Sequence, residues 1–420
     1  MEQFLSQPLL IAEKNSSICP NCGEIVPIKK ELKGNLLYIT RKCPNGFNKR
    51  ELVCKSDKIT DNYFWNSPTS KLIKEKDYLK NIKVFDVLIT KKCNSNCKVC
   101  FAKWCGDNYE EMDVGNLKSL LKTIRDARIV LNGGEPTVRE DLIKIIKLIV
   151  ESGNKPVLYT NGLQISNYTY LKKLKRAGLK EISVSFDGFD KKIYESVRGG
   201  KQQYPATLEA IKNLEREKMK VSLYSTIIRG INEDQVEYII DYATLHNFIW
   251  TISFKPLYLP GTDPSANFTK NHVLSYSEIL NLINAKIEEI DYQYIRLTQK
   301  VFCSLQETFA NRNPPIYLSW VDLPSVYMVR KGDISQPLFS YETLEKMQNI
   351  LETTPAKHSI TFLSKMLPVN LDILETFIQK RKVFRILLGG VMPQISSYTP
   401  PIAMVCQKNN ELKLYSYLAW

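Results

Sequence analysis

Histidine is nearly missing from this chain. There are three in 420 residues, at 246, 272 and 358, and none sits in a recognisable pattern. His246 closes a predicted helix, where a cation suits the helix end, and no histidine is nominated as a ligand. Long apolar runs are missing too. The longest uncharged stretch, residues 386–407, holds Pro393, Pro400, Pro401 and several polar residues, so it is not expected to span a bilayer. The first residues, "MEQFLSQPLL", carry an acid at position 2 and no basic segment, and no secretory leader is expected. There is no internal repeat, no low-complexity tract and no basic run interleaved with aromatics that would point to RNA in particular. A reducing cytoplasm is the expected setting, with association with a membrane surface left open, and clustered cysteines there read as metal ligands and not as cystines.

What is present is an ordinary globular composition, 44% hydrophobic and 24% charged, with a net charge of +14 spread along the chain. Lysine-rich solvated helices account for such a charge, and so does an acidic partner: an anionic lipid surface, a peptide or RNA. At this length a large core forms without disulfides. The ten cysteines are unevenly placed. Cys19, Cys22, Cys43 and Cys54 fall in the first sixty residues, Cys93, Cys97, Cys100 and Cys105 in one short segment, and only Cys303 and Cys406 beyond.

From about residue 83 to 290 short β-branched runs alternate with amphipathic helical ones. "VFDVLIT" (84–90), "RIVLN" (128–132), "KPVLYT" (155–160), "EISVSF" (181–186), "VSLYSTII" (221–228) and "IWTISF" (249–254) predict strands, each followed by a helical pattern. Six β-α units predict a parallel sheet covered by helices, with the chemistry at the carboxyl ends of the strands. After residue 300 the pattern turns Pro-rich and irregular, with helices expected at 341–354 and 370–382. The expected division is a four-cysteine metal-binding domain (1–78), a core barrel (79–300) and a carboxyl-terminal module (301–420).

"CNSNCKVC" follows the first strand with C-x3-C-x2-C spacing. Closed zinc sites use four protein ligands. Three thiolates in one loop suit an iron–sulfur cube whose fourth iron keeps an open position; zinc completed by Cys105 or a distant histidine is the alternative. "LNGGEPT" follows the second strand. Paired glycines allow close backbone approach, Glu135 offers an acceptor for an ammonium group, and Pro136 keeps Glu135 out of helical geometry.

These residues resemble the radical S-adenosylmethionine (radical SAM) enzymes over residues 83 to about 260. Cys93, Cys97 and Cys100 match the cysteines of the family's [4Fe–4S] cluster. Gly133, Gly134, Glu135 and Pro136 match its "GGEP", which holds the methionine amino group. "YTNG", with Thr160 and Asn161, resembles the end of the third strand. "SVSFDG", with Ser185 and Asp187, resembles the segment that approaches the cofactor ribose or methionyl group, and "YESVRGG" the segment after it. Val99 stands where an aromatic residue is frequent before the third cysteine, and Phe101 takes over the expected adenine contact. The resemblance implies an α/β fold, a partial (β/α)6 TIM-like barrel of the radical SAM type, with a small amino-terminal metal-binding domain and an α+β carboxyl-terminal module. It also implies an oxygen-sensitive enzyme that reductively cleaves S-adenosylmethionine to a 5′-deoxyadenosyl radical and takes hydrogen from an unactivated C–H bond, served by an electron donor such as ferredoxin or flavodoxin.

"CPNCGE" (19–24), with Cys43 and Cys54, predicts a closed tetrathiolate site for one Zn or Fe ion. With the barrel motifs it is similar to an archaeal branch with a rubredoxin-like amino-terminal site, the tetraether lipid synthases and pterin methylases among them. The extra carboxyl-terminal cysteines of that branch are not matched here, and Cys105, Cys303 and Cys406 are expected to be free thiols. The apolar carboxyl-terminal segments suggest a lid over the barrel and, as substrate, a lipid chain or a peptide side chain, with C–C bond formation or alkylation as the outcome. The alternatives are a non-catalytic iron–sulfur scaffold and radical modification of RNA or of a pterin-like small molecule.

Overall fold

The computed structural model describes residues 16–19, 22, 25–57, 84–100, 109–310, 325–354, 383–388, 402–408 and 411–416. Phe101, Cys105, the Pro-rich stretches at 311–324 and 389–401 and the helix expected at 370–382 lie outside them.

The amino-terminal part is an antiparallel sheet in the order β1 (Ser16–Ile18), β2 (Ile25–Lys33), β3 (Leu36–Lys42) and β4 (Asn48–Lys55). The next six strands are β5 (Val84–Thr90), β6 (Arg128–Gly133), β7 (Lys155–Thr160), β8 (Glu181–Ser185), β9 (Lys220–Ile227) and β10 (Ile249–Pro256). They pair in parallel in chain order. The crossovers carry α1 (Val114–Thr123), α2 (Leu142–Glu151), α3 (Tyr168–Arg176), α4 (Lys191–Val197), α5 (Gln203–Arg216) and α6 (Gln235–Leu245), and α7 (Tyr276–Lys286) follows β10. The six predicted units are thus formed, with local signals where they are needed. Asp113 caps α1 by accepting from the Gly115 and Asn116 amides, and Ser275 with Glu278 forms a capping box on α7.

Beyond residue 290 the chain adds helix α8 (Tyr292–Ala310), strands β11 (Ser325–Lys331) and β12 (Ile334–Pro337), helix α9 (Tyr341–Thr353) and strands β13 (Val383–Leu388), β14 (Ile402–Lys408) and β15 (Glu411–Ser416). These strands extend the barrel sheet itself. The full order is β12-β11-β13-β10-β9-β8-β7-β6-β5-β14-β15, with β13 parallel to β10 and β14 parallel to β5.

Strand alternation gives the sheet two different faces. Ile129, Leu131, Leu158, Ile182, Val184, Val221, Leu223, Ile252 and Phe254 belong to one apolar cluster with the buried faces of the helices. Each such side chain removed from water stabilises the fold by about 1.5–3 kcal/mol. The intervening residues line the other, inner face, which is mixed: Asp86 and Leu88 on β5, Val130 and Asn132 on β6, Val157 and Tyr159 on β7, Ser183 and Ser185 on β8, Ser222 and Tyr224 on β9, and Thr251, Ser253 and Lys255 on β10. Among the described residues no helix is long and apolar enough to cross a membrane.

Candidate active site

The loop of Cys93, Cys97 and Cys100 leaves the carboxyl end of β5 and is tied down on three sides. Beneath it run the paired glycines. The Gly134 amide donates to the Thr90 carbonyl at 2.7 Å and the Glu135 amide to the Lys92 carbonyl at 2.8 Å. A Cβ on Gly133 would come within 2.2 Å of the Thr90 oxygen, and one on Gly134 within 2.3 Å of the Lys92 oxygen. The close approach that requires glycine here is therefore to the cysteine loop, where the sequence suggested a ligand. On a second side the Lys98 amide donates to the Val197 carbonyl at 2.8 Å, the Ser95 hydroxyl donates to the Arg198 carbonyl at 2.9 Å, and Gly199 packs against Asn96. On the third the Cys100 amide donates to the Gly261 carbonyl at 2.9 Å and the Asp263 amide donates back to the Lys98 carbonyl. Cys93 is exposed and Cys97 and Cys100 are half-buried. Although Cys93 is exposed as a whole, the loop packed around its sulfur partly desolvates the thiol and pushes it up to about 11 against a hydrogen bond from the Ser95 backbone, with Glu135, Cys97 and Cys100 adding to the rise, so loading a metal there releases a proton.

Glu135 is extended (φ −133°, ψ 108°), and Pro136 opens a 3-10 turn that Glu135 caps. Its carboxylate is buried and accepts from the Thr137 hydroxyl at 2.5 Å, the Thr160 hydroxyl at 2.7 Å and the Asn161 amide at 2.7 Å. Burial still leaves its pKa raised against those bonds, so a cation brought beside it would be held strongly. Asn161 reaches the cysteine loop through Asn94 at 2.8 Å. Glu135, Thr160 and Asn161 thus lock the ends of β6 and β7 to the thiol loop.

Asp187, just past β8, is fully buried and paired with Arg198, whose Nε and Nη2 both donate to its carboxylate, while the Thr226 amide adds a third bond at 2.9 Å. Burial alone would depress the guanidinium, and Asp187 more than reverses this. Ser185 stays half-buried at the strand end. Lys255, at the end of β10, is pulled down to about 8 by burial and then by Arg198, against the opposing pull of Asp187 and Cys100.

The three thiols suit a cluster better than a single ion. Among the described residues the one group of three ligating side chains within 4.8 Å of each other is Cys19, Cys22 and Cys43, so at least one pair of the sulfurs at 93, 97 and 100 stands wider apart than the about 3.8 Å that a tetrahedral ion with 2.3 Å bonds would impose. Residues 87–243 match the family described as the Radical SAM superfamily. This stretch is a radical SAM domain. Among similar proteins, 7,8-dihydro-6-hydroxymethylpterin dimethyltransferase of Methanocaldococcus jannaschii is 32% identical over 279 residues, which cover 59% of this chain and 54% of that one. GTP 3′,8-cyclase of Staphylococcus carnosus is 29% identical over 220 residues, covering 49% and 63%. The chain thus spans less than two thirds of either relative. A solved structure of anSMEcpe with bound AdoMet is a distant likeness, at 18% identity and a TM-score of 0.39, covering 52% of this chain and 65% of that one.

Radical SAM domains use a [4Fe–4S] cluster and S-adenosylmethionine, and Cys93, Cys97 and Cys100 are the residues of this domain suited to hold the cluster. Several residues that organise its site carried no nomination in the sequence: Arg198, Gln203, which donates to the Asn161 carbonyl at 2.7 Å, and Asn232, which donates to the Asp187 carbonyl at 3.1 Å. Arg198 lies inside the noted "YESVRGG", and a buried arginine after an acidic strand end is the signal that could have found it.

The amino-terminal thiols differ from the expected set of four. Cys19, Cys22 and Cys43 come together, but Cys54 does not join them. It lies in the apolar cluster with Ile28, Leu37, Ile39 and Val53. A register shift in the β3–β4 pairing, between Leu37 and Tyr38, sets Cys54 opposite Leu37.

Proposed function

We propose that this chain is a radical SAM enzyme that takes hydrogen from a polar, N–H-bearing heterocyclic small molecule bound against the inner face of the sheet. The cluster and S-adenosylmethionine, when bound, supply a 5′-deoxyadenosyl radical, given one electron from a donor protein. The chain's own residues position and enclose. Cys93, Cys97 and Cys100 hold the cluster, Glu135 receives the methionine ammonium, and Ser185 offers a hydroxyl to the ribose. Asp187 acts through Arg198, which anchors the loop of Cys97.

The observation that carries the substrate class is Asp86. It is 3% exposed on the inner face. Its Oδ2 accepts from Asn132 Nδ2 at 3.3 Å, while its Oδ1 has no hydrogen-bond partner. A buried carboxylate oxygen without a donor costs about 1–3 kcal/mol, a cost that a ligand N–H would remove. The rest of the face mixes polar and apolar groups: Tyr159 and Tyr224 share a hydrogen bond at 2.8 Å, and Ser183, Thr251 and Ser253 are buried, as are Leu88, Val130 and Val157. A lipid chain or an aliphatic side chain would leave Asp86 Oδ1 without a donor, so the pterin-like reading is favoured over them. The names of the two relatives agree: a pterin and GTP both carry a 2-amino-4-oxopyrimidine ring, whose N–H edge a carboxylate can grip.

Reconstituted protein is expected to form 5′-deoxyadenosine faster with a 7,8-dihydropterin or GTP than without, and to transfer deuterium from the labelled substrate. Asp86→Asn should lose at least tenfold of that stimulation while the slow substrate-free cleavage persists. Equal stimulation in the variant would overturn the assignment. A stability measurement gives an independent check. Burial raises the Asp86 carboxyl to about 7, against the weaker pull of Asn132. A folded pKa above the unfolded one removes stability as pH rises from about 4 to about 7. Asp86→Asn should therefore be more stable than the parent by about 1–3 kcal/mol above pH 7, and the gap should close at pH 4.

A further inference from the structure

The two amino-terminal knuckles repeat each other. Residues 19–22 read C-P-N-C and residues 43–46 read C-P-N-G, so Gly46 stands where the first knuckle places Cys22. The sulfurs of Cys19, Cys22 and Cys43 lie within 4.8 Å of one another, with Cys22 and Cys43 at 3.3 Å. The second knuckle keeps the turn of a thiolate-binding loop. The Gly46 amide donates to the Cys43 carbonyl at 3.0 Å, the Cys43 amide to the Phe47 carbonyl at 2.7 Å, and the Asn45 amide to the Cys43 sulfur at 3.4 Å. Among the described residues the fourth thiolate of the pattern is missing, and Cys54, in the separate apolar cluster, is not grouped with the three.

The corner at Gly46 faces water. Gly46 is exposed, with φ +89°, and a Cβ built on it meets nothing within 4 Å. On the flanking strands Lys42, Lys49 and Arg50 are exposed, Lys49 paired with Glu51 at 3.0 Å and Arg50 with Glu31 at 3.1 Å. Three thiolates make a soft donor set suited to Zn²⁺. A closed four-thiolate sphere is what a structural ion or a one-electron iron relay uses, whereas an incomplete sphere takes a ligand from outside.

We propose that the amino-terminal site binds one Zn²⁺-type ion through Cys19, Cys22 and Cys43 and keeps its fourth coordination position, on the Gly46 side, for an exogenous thiolate. The incoming thiol gives its proton to solvent and displaces a water from the ion; no electron moves. The soft ion favours sulfur.

The test uses the full chain carrying Cys93→Ala, Cys97→Ala and Cys100→Ala, loaded with Co²⁺ as a visible substitute for zinc, so that the cobalt signal comes from the amino-terminal site. Adding 2-mercaptoethanol is expected to raise the thiolate-to-cobalt absorption saturably by about one third, three thiolates becoming four. With Gly46→Cys added, the absorption should start at the higher value and stay there. With Cys54→Ser added instead, the thiol response should be unchanged. Absorption that does not respond to thiol in the parent, or that falls by about a quarter on Cys54→Ser, means the chain supplies its own fourth ligand and overturns the proposal. Should Gly46→Cys fail to fold, the parent titration and Cys54→Ser decide alone.

Discussion

Gly134→Ala is expected to lose at least tenfold of the iron bound at the barrel loop, although it removes no ligand. The new Cβ would lie 2.3 Å from the Lys92 oxygen and 2.6 Å from the Lys91 oxygen. Both are backbone atoms, and they cannot swing aside as a flexible side chain would. The loop is held down by hydrogen bonds from the Gly134 and Glu135 amides, so relief of the clash breaks these bonds and moves Cys93, the residue after Lys92. Overpacking of this kind costs about 1–3 kcal/mol, and the strain falls on three thiols that must meet one cluster. The β/α core behind the strand stays intact, so helical circular dichroism should be preserved while iron content and S-adenosylmethionine cleavage fall together. Gly133→Ala should be at least as severe, because it adds the φ of +131° at that position to a 2.2 Å approach. Native iron content in Gly134→Ala would show that the glycines do not seat the loop.

Asp187→Asn should destabilise the barrel by about 3–5 kcal/mol, as expected when one partner of a buried ion pair is removed. Arg198 would stay buried with a guanidinium facing a neutral amide, and the Thr226 amide would lose its charged acceptor. The loss should appear as a lower urea midpoint at an unchanged slope. A second effect follows from connectivity. The Arg198 carbonyl accepts from the Ser95 hydroxyl and faces the Cys97 sulfur, so the loop loosens and the KM for S-adenosylmethionine rises. In the double variant Asp187→Asn/Arg198→Gln the loss should be smaller than the sum of the two single losses, since no buried charge is left alone. Strictly additive losses would mean that the pair is not coupled.

The barrel was legible in the sequence because each of its units is local. "KPVLYT" is strand β7 residue for residue, and the helix "YLKKLKRAG" ends at Arg176, with Gly178 in the left-handed region just beyond. The helical pattern that follows the first strand, "NLKSLLKTIRDA" (116–127), stops early, at Thr123, because Ile124 is extended and Asp126 takes a positive φ. What local pattern cannot carry is pairing across hundreds of residues. Strands β13 and β14 flank opposite edges of the same sheet, and nothing in "VFRILL" or "IAMVCQK" says which neighbour each will find. The site divides in the same way. The thiols and Glu135 follow strand ends in sequence, whereas Arg198 and Asn232 matter only because folding brings them to Asp187, and Asp86 is one polar residue inside an apolar strand. Cys54 shows the same limit, because spacing counts cysteines without their register, and the β3–β4 shift sets it opposite Leu37 in the apolar cluster.

The central claim is that Cys93, Cys97 and Cys100 hold a cluster that cleaves S-adenosylmethionine. Anaerobically reconstituted protein, reduced with dithionite and given S-adenosylmethionine, is assayed for 5′-deoxyadenosine beside its Cys97→Ala variant. The parent should form 5′-deoxyadenosine and the variant none, while remaining soluble and folded. Formation at the full rate by Cys97→Ala would contradict the account.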